Sequence, residues 1–215
     1  MRNVGTIATL LAALLAVTAT SPAWAKGKTD AREVVAGKVG RDLDRALQAK
    51  TNGMWWGAVL VAKEGKILLA KGYGYADYGS VPADANTIFE IASTSKPVTG
   101  TAVLHLVQEG KLKLDDTLGK LWPSIPDDKK DITVHQLLTH TSGLSNQIGV
   151  PYNSPLKREA YVKHILQTPV EEEPGDLFAY NNVGYALLAA IVEKVTGHSF
   201  EAYVRKHVFG PAGMR

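Results

Sequence analysis

The segment FEIASTSK, Phe89 to Lys96, sets a serine, Ser93, three positions before a lysine, Lys96. On a helix that spacing puts two side chains on one face, within reach of each other. A serine hydroxyl is a weak nucleophile until a base takes its proton. A lysine serves as that base only when burial or a neighbouring cation lowers its pKa from about 10.4. A serine at a helix N-terminus also has its backbone N–H aimed outward and the positive end of the helix dipole beneath it. Both favour the negative charge that develops on a nucleophile and on an oxyanion. The chemistry implied is acyl transfer by a Ser–Lys pair.

Most S-x-x-K strings mark solvated helix faces, so the string alone carries little. Three features set this one apart. An apolar, strand-like run (Ile88, Phe89, Ile91) precedes the serine, and a helical pattern opens at Lys96. Downstream, in FAYNNVGYALLAAIVEKVTG, Tyr180 and Asn182 stand two apart just before a strongly periodic helix. Taken alone, Tyr180 reads as an ordinary half-buried tyrosine. Beside Asn182 and Ser93 it reads as part of the same machinery.

Rival chemistries fare worse. His140 and Ser142, in LLTHTSGL, suggest a Ser-His-Asp triad, but no G-x-S-x-G elbow is present there. His140 is expected instead to close a helix C-terminus, where a cation is favoured. His135 and His140 are five apart with no glutamate between them, unlike H-E-x-x-H, so no metal site is expected. Gly72-Tyr73-Gly74 has Asp77 where a dinucleotide loop needs glycine, and no helix follows; no cofactor is expected.

The positioning elements follow from periodicity. A helix from Thr29 or Asp30 to about Lys50 would carry Val35, Val39, Leu43 and Leu47 on one stripe, although Gly37 and Gly40 weaken it. Trp55–Ala62 and Ile67–Tyr73 read as strands of a hairpin about Glu64-Gly65. The helix after Lys96 carries Val98, Ala102 and Leu106, tolerates Pro97 in its first turn and stops at Gly110. Further helices are expected at Val134–Thr139, Leu156–Gln167, Val183–Thr196 and Ser199–Val208. Strands first and helices afterwards indicate an α+β fold.

At the N-terminus, Arg2, the apolar run Ile7–Val17 and Ala23-Trp24-Ala25 have the layout of a secretory signal peptide, residues 1–25. The apolar run is too short to span a membrane comfortably, so export without a stable membrane anchor, to periplasm or medium, is expected. The chain has no cysteine, which leaves neither disulfides nor a lipid-modified cysteine. Residues 26–215 carry 23 basic and 21 acidic side chains and are expected to form one domain; that balance makes no case for nucleic acid. The run Glu171-Glu172-Glu173 reads as a solvated loop.

From about Trp56 onward the chain resembles the penicillin-recognising serine hydrolases, which include class C β-lactamases, D-Ala-D-Ala carboxypeptidases and related esterases. The resemblance rests on FEIASTSKPVTG, DDTLGKLWP, ITVHQLLTHTSGL, YNN and KVTGHSFEAYVRKHVFGPAGM, standing in family order. It implies a β-lactamase/DD-peptidase-like fold with Ser93 as the acylated nucleophile. Its own N–H would be an oxyanion donor, and Lys96 and Tyr180 would share the general-base role. Asn182 would contact the substrate amide and hold Lys96, and Gln147 would contact the acylamino side of substrate. The match at Gln147 is looser, because Ser145 and Asn146 depart from the usual residues. The family's third motif, K-T-G or H-x-G, does not occur beyond Tyr180, so a C-terminally truncated domain with impaired activity is expected. The substrate would be a β-lactam, a D-Ala peptide or a small ester. A non-catalytic remnant, or a binder of β-lactams or peptidoglycan peptides, is the alternative, and the oligomeric state stays open.

Overall fold

A computed structural model of the chain describes residues 33–51, 55–77, 81–151 and 154–214. The proposed signal peptide and the expected helix start at Thr29 or Asp30 lie outside the described residues. The chain divides into two compact units, residues 1–90 and 91–215.

The first unit is built on the hairpin. Strands β2 (Gly57–Lys63) and β3 (Lys66–Tyr73) pair antiparallel, with Lys63 opposite Lys66. The two turn residues, Glu64 and Gly65, have φ of 51° and 73°. That is a two-residue turn with both φ positive, whose twist matches the strands. Ile67 and Leu69 pair with Ala62 and Val61, so Leu68 is the extra residue of a bulge.

Strand β1 (Val34–Val35) pairs with the other edge of β3, giving the order β1-β3-β2. Helix α1 then runs over Gly37–Lys50. The expected helix is therefore wrong at its start: Val35 belongs to the sheet and not to the helical stripe. Gly37, at φ 62°, makes the turn between them. Its neighbour Ala36 donates its N–H to the bulged carbonyl of Leu68 at 2.8 Å. Gly40 is required at its position, because a Cβ there would meet the same carbonyl oxygen at 2.4 Å. The glycines that weaken the helical pattern are what let α1 lie against β3. Asp44 completes the join, accepting hydrogen bonds from Lys71 Nζ at 3.0 Å and Tyr73 Oη at 2.9 Å.

The second unit is helical: α2 (Ser95–Gln108), α3 (Leu118–Leu121), α4 (Asp127–Lys130), α5 (Val134–Leu138), α6 (Arg158–Gln167), α7 (Asn182–Thr196) and α8 (Phe200–Val204). The five-residue turn Arg205–Phe209 after α8 is π-helical, so the helix expected over Ser199–Val208 changes winding partway. The short helices α3 and α4 were not foreseen. Helix α2 ends in a Schellman motif at Gly110 (φ 68°), with Lys111 N–H on Leu106 C=O and Gly110 N–H on Val107 C=O, both at 3.0 Å. Thr133 and Gln136 form a reciprocal capping box on α5.

Helix α7 is the central element, burying Val183, Leu187, Leu188, Ile191 and Val192 against α2, α5, α6 and α8. A helix buried nearly all round is apolar nearly all round, and this one is. Sheet first, helices after: the α+β expectation holds. No helix among the described residues is long and apolar enough to cross a membrane.

Candidate active site

Ser93 lies in a single 3₁₀ turn, Ala92–Thr94, that runs directly into α2. The residues before it, Ile88, Phe89 and Ile91, are exposed and are not a strand. An apolar run needs a paired neighbour to become a strand, and none of the described strands pairs with it. What presents Ser93 is instead backbone geometry. Ala92 has φ 42°, a conformation that costs a non-glycine residue on the order of 1 kcal/mol or more. The turn is closed by Thr94 N–H on Ile91 C=O at 2.9 Å and by Ser95 Oγ donating to Ala92 C=O at 2.7 Å. Ser93 thus projects from the first turn, where backbone N–H groups precede the helical ladder.

Lys96, at the second position of α2, reaches back to Ser93 Oγ at 3.3 Å and donates to Asn182 Oδ1 at 2.6 Å. The Tyr180 hydroxyl lies 2.7 Å from Ser93 Oγ. The ammonium also sits 4.7 Å from the centre of the Tyr180 ring and 5.5 Å from that of Tyr185. The structure therefore brings four of the five expected residues together: Ser93, Lys96, Tyr180 and Asn182. The Lys96 hydrogen bond, followed by that of Ser93, holds the Tyr180 phenol below its ordinary value. A phenol so placed ionises more readily than a free tyrosine, and it is the phenolate that can accept a proton.

Gln147 is the fifth, and it stands apart. It is exposed, its N–H donates to Ser145 Oγ at 2.9 Å, and its side chain makes no hydrogen bond to any described residue. Its neighbour Asn146, unassigned from the sequence, reaches the site instead. Asn146 Nδ2 donates to Tyr180 C=O, and Asn146 Oδ1 accepts from Asn182 N–H, both at 2.9 Å.

Asn181, between Tyr180 and Asn182, turns inward. It caps α7 by accepting Gly184 N–H at 2.7 Å, and its Nδ2 donates to Leu144 C=O. An asparagine just before a periodic helix is a readable cap signal. Its own N–H donates to His140 Nδ1 at 3.0 Å, which assigns the imidazole proton to Nε2. His140 does close α5, as an αL residue at φ 60°. It does so uncharged, against expectation: burial, then the nearby Lys96 cation, lowers its pKa from the usual histidine value. Its ring packs on Tyr180, with centroids 4.7 Å apart. With Nδ1 so engaged, His140 is not the base for a triad with Ser142.

The acidic run is an exposed loop, as expected, and it also makes specific contacts. Glu171 is not merely solvated: its Oε1 accepts from the buried Ser145 hydroxyl at 2.6 Å, and its N–H donates to Gly143 C=O at 2.8 Å. Gly143 itself is at φ 68°, and a Cβ there would meet Glu172 C=O at 2.0 Å. The loop carrying Asn146 is thereby anchored on both sides. A cavity of about 720 Å³, lined by Trp122, Ile125, Val162, Leu166 and Lys194, lies at the other end of α7 and includes none of the site groups.

The site sets a serine within hydrogen-bond reach of a lysine and a tyrosine at a helix start, on an α+β scaffold. The chain belongs to the Beta-lactamase family, whose model matches residues 13–215. It is 36% identical over 166 residues to the protein flp of Staphylococcus aureus strain MW2, covering 74% of this chain and 33% of flp. Its fold is similar to FmtA of Staphylococcus aureus (TM-score 0.76, 27% identity, 88% of this chain and 54% of that one). It is also similar to the D-amino acid amidase of Ochrobactrum anthropi SV3 (TM-score 0.69, 28% identity, 81% and 53%). The chain thus spans about a third of that curated relative and about half of those solved ones.

Proposed function

We propose that this protein acylates Ser93 with a small amide or ester substrate: a β-lactam, a peptide ending in D-alanine or a simple ester. The observation that carries the reading is the position of Ser93 Oγ, 2.7 Å from the Tyr180 hydroxyl and 3.3 Å from Lys96 Nζ. Ser93 Oγ attacks the substrate carbonyl carbon, and its proton passes to the Tyr180–Lys96 pair. The carbon–nitrogen or carbon–oxygen bond breaks, and the leaving group takes that proton. Water then attacks the acyl-enzyme by the same route in reverse, regenerating Ser93. The family match and the fold shared with a D-amino acid amidase support the amide part of this range.

Tyr180 and Lys96 handle the Ser93 proton together, as one unit. Acylation should rise with pH through an apparent pKa below the ordinary tyrosine value of about 10. Intact-mass analysis after incubation with a fluorescent penicillin and with a fluorophosphonate tests the assignment. One adduct per chain is expected, absent in Ser93→Ala. An adduct that persists in that variant would overturn it. We also propose that residues 1–25 direct export and are removed, on the strength of Arg2, the apolar run and Ala23-Trp24-Ala25. N-terminal sequencing of the secreted or periplasmic product would start at Lys26; an intact Met1 in the cytoplasm would refute this.

A further inference from the structure

Two side chains in the site must be aimed with care, and neither lies within a helix interior. Tyr180 precedes α7, and Asn182 is its first residue. The residue between them is locked from the inside, its N–H on His140 and its side chain on Leu144 and Gly184. That leaves the outward-facing C=O of Tyr180 and N–H of Asn182, an acceptor and a donor two residues apart, as at the edge of a strand. A side-chain amide offers the complementary donor and acceptor in one plane. Asn146 supplies both, at 2.9 Å each, across 34 and 36 residues of sequence. The Asn182 N–H is one of the orphan donors of a helix start, so the contact also completes the N-terminus of α7.

Asn146 is exposed, so packing does not account for these two bonds. It is presented from a loop held by Gly143 and Ser145 on Glu171, so its amide does not swing freely. We propose that Asn146 is a positioning residue for acylation, tying Tyr180 to Asn182 so that the phenol stays on Ser93 and the amide oxygen stays on Lys96. This deepens the reading of Ser93 as an acylated nucleophile and rests on it. Asn146 touches neither the nucleophile nor the lysine; it acts through the two residues that do.

The role makes a chemical demand that only some side chains meet. Leucine supplies neither bond. An ionised aspartate can accept from Asn182 N–H but faces Tyr180 C=O with a second acceptor. A protonated aspartic acid has one O–H donor and one C=O acceptor, and so restores the pair.

The experiment uses the 215-residue chain and its Asn146→Leu and Asn146→Asp variants, with acylation rates measured by fluorescent penicillin from pH 7 down to about 4.5, toward the aspartate pKa. Asn146→Leu should acylate roughly ten- to a hundredfold slower, the penalty of a catalytic group displaced by about 1 Å, in a chain that still melts cooperatively. Asn146→Asp should be as slow at pH 7, and its rate relative to the unsubstituted chain should climb as pH falls. The Asn146→Leu ratio should stay flat. In both variants the Tyr180 phenol, titrated from pH 7 upward by NMR of labelled tyrosine, should ionise closer to the ordinary value of about 10. Wild-type rates in both variants, or an Asn146→Asp ratio that ignores pH, would overturn the proposal. Should the unsubstituted chain form no adduct, the acylation reading fails, and the Tyr180 titration decides the positioning role alone: an unmoved Tyr180 refutes it.

Discussion

The two units of this protein hold themselves together by different means. In residues 91–215 a continuous apolar core runs through α2, α5, α6 and α7, with Leu106, Leu118, Ile132, Leu137, Leu187, Leu188 and Ile191 fully buried. Helix ends are finished by a Schellman motif, a capping box and the Asn181 cap. The sheet unit has much less to bury. Leu60 on β2 is 66% exposed, and Ile67 and Val39 are exposed as well. Its joins are polar or steric: the bulge at Leu68, the contact at Gly40 and the Asp44–Lys71–Tyr73 cluster. Every residue of the candidate site belongs to the unit with the deep core. Aiming four side chains to within a few tenths of an ångström needs a background that does not yield, and close-packed apolar cores supply it.

The comparison breaks first, and most visibly, on chemistry. Lys96→Ala and Tyr180→Phe should each slow Ser93 acylation by about a hundred- to ten-thousandfold, and the double variant should add little more. Groups that move one proton together are strongly non-additive. Multiplicative losses would show that only one of them handles the proton. Substitutions confined to the sheet unit, such as Leu60→Ser, should leave the labelling chemistry of Ser93 intact in any chain that remains folded.

The next largest effect concerns the core. Leu187→Ala should cost about 2–5 kcal/mol, because the side chain is fully buried and its removal leaves a cavity. Hydrogen exchange resolved by residue would show the loss spread through α2, α5, α6 and α7, with β2 and β3 little changed. Equal deprotection of the hairpin would mean that the two units unfold as one.

The smallest effect sharpens the polar join. Burial works to raise the Asp44 pKa, but hydrogen bonds from Lys71 and Tyr73 overcome it and hold the carboxyl below its ordinary value. A depressed carboxylate contributes stability above its unfolded pKa of about 3.9 and loses it as pH falls through the folded value. Burial, then Asp44, pushes the Tyr73 phenol well above its usual value, so its contribution is present below about pH 10 and fades above it. Asp44→Asn should therefore destabilise the sheet unit by about 1–2 kcal/mol near neutral pH and flatten its protection below pH 4. Hairpin exchange rates that ignore both the substitution and the acid limb would remove the cluster from the account.

Much of this architecture was legible beforehand, and the misses share a cause. The hairpin was readable because Glu64-Gly65 sits between two β-rich runs, and a two-residue turn is a local decision. Gly110 was readable as a stop because only residues tolerant of positive φ end a helix in that way. The start of α1 was misread because Val35 fits a helical stripe as well as a strand; pairing with Leu69 of β3, 34 residues away, chose the strand. The run before Ser93 was misread for the converse reason, a strand-like pattern with no strand beside it. In the site, Asn146 looked like a departure from family habit, yet it carries two hydrogen bonds. Gln147, the residue that the resemblance favoured, makes none with its side chain among the described residues.

The sequence by itself determined which chemistry is possible: Ser93 and Lys96 one turn apart, Tyr180 and Asn182 at a helix start, and the strong periodicity of α7. Those are properties of neighbours, and periodicity and turn chemistry act over a few residues. Only the tertiary structure decided that Tyr180 would close on a serine 87 positions away. The same packing decided that Lys96 would find Asn182 across 86, and that an exposed asparagine would tie the two halves of Y-x-N together. Such contacts depend on how α2, α5 and α7 pack against one another, and packing is settled by the shapes of whole faces rather than by any local run of residues.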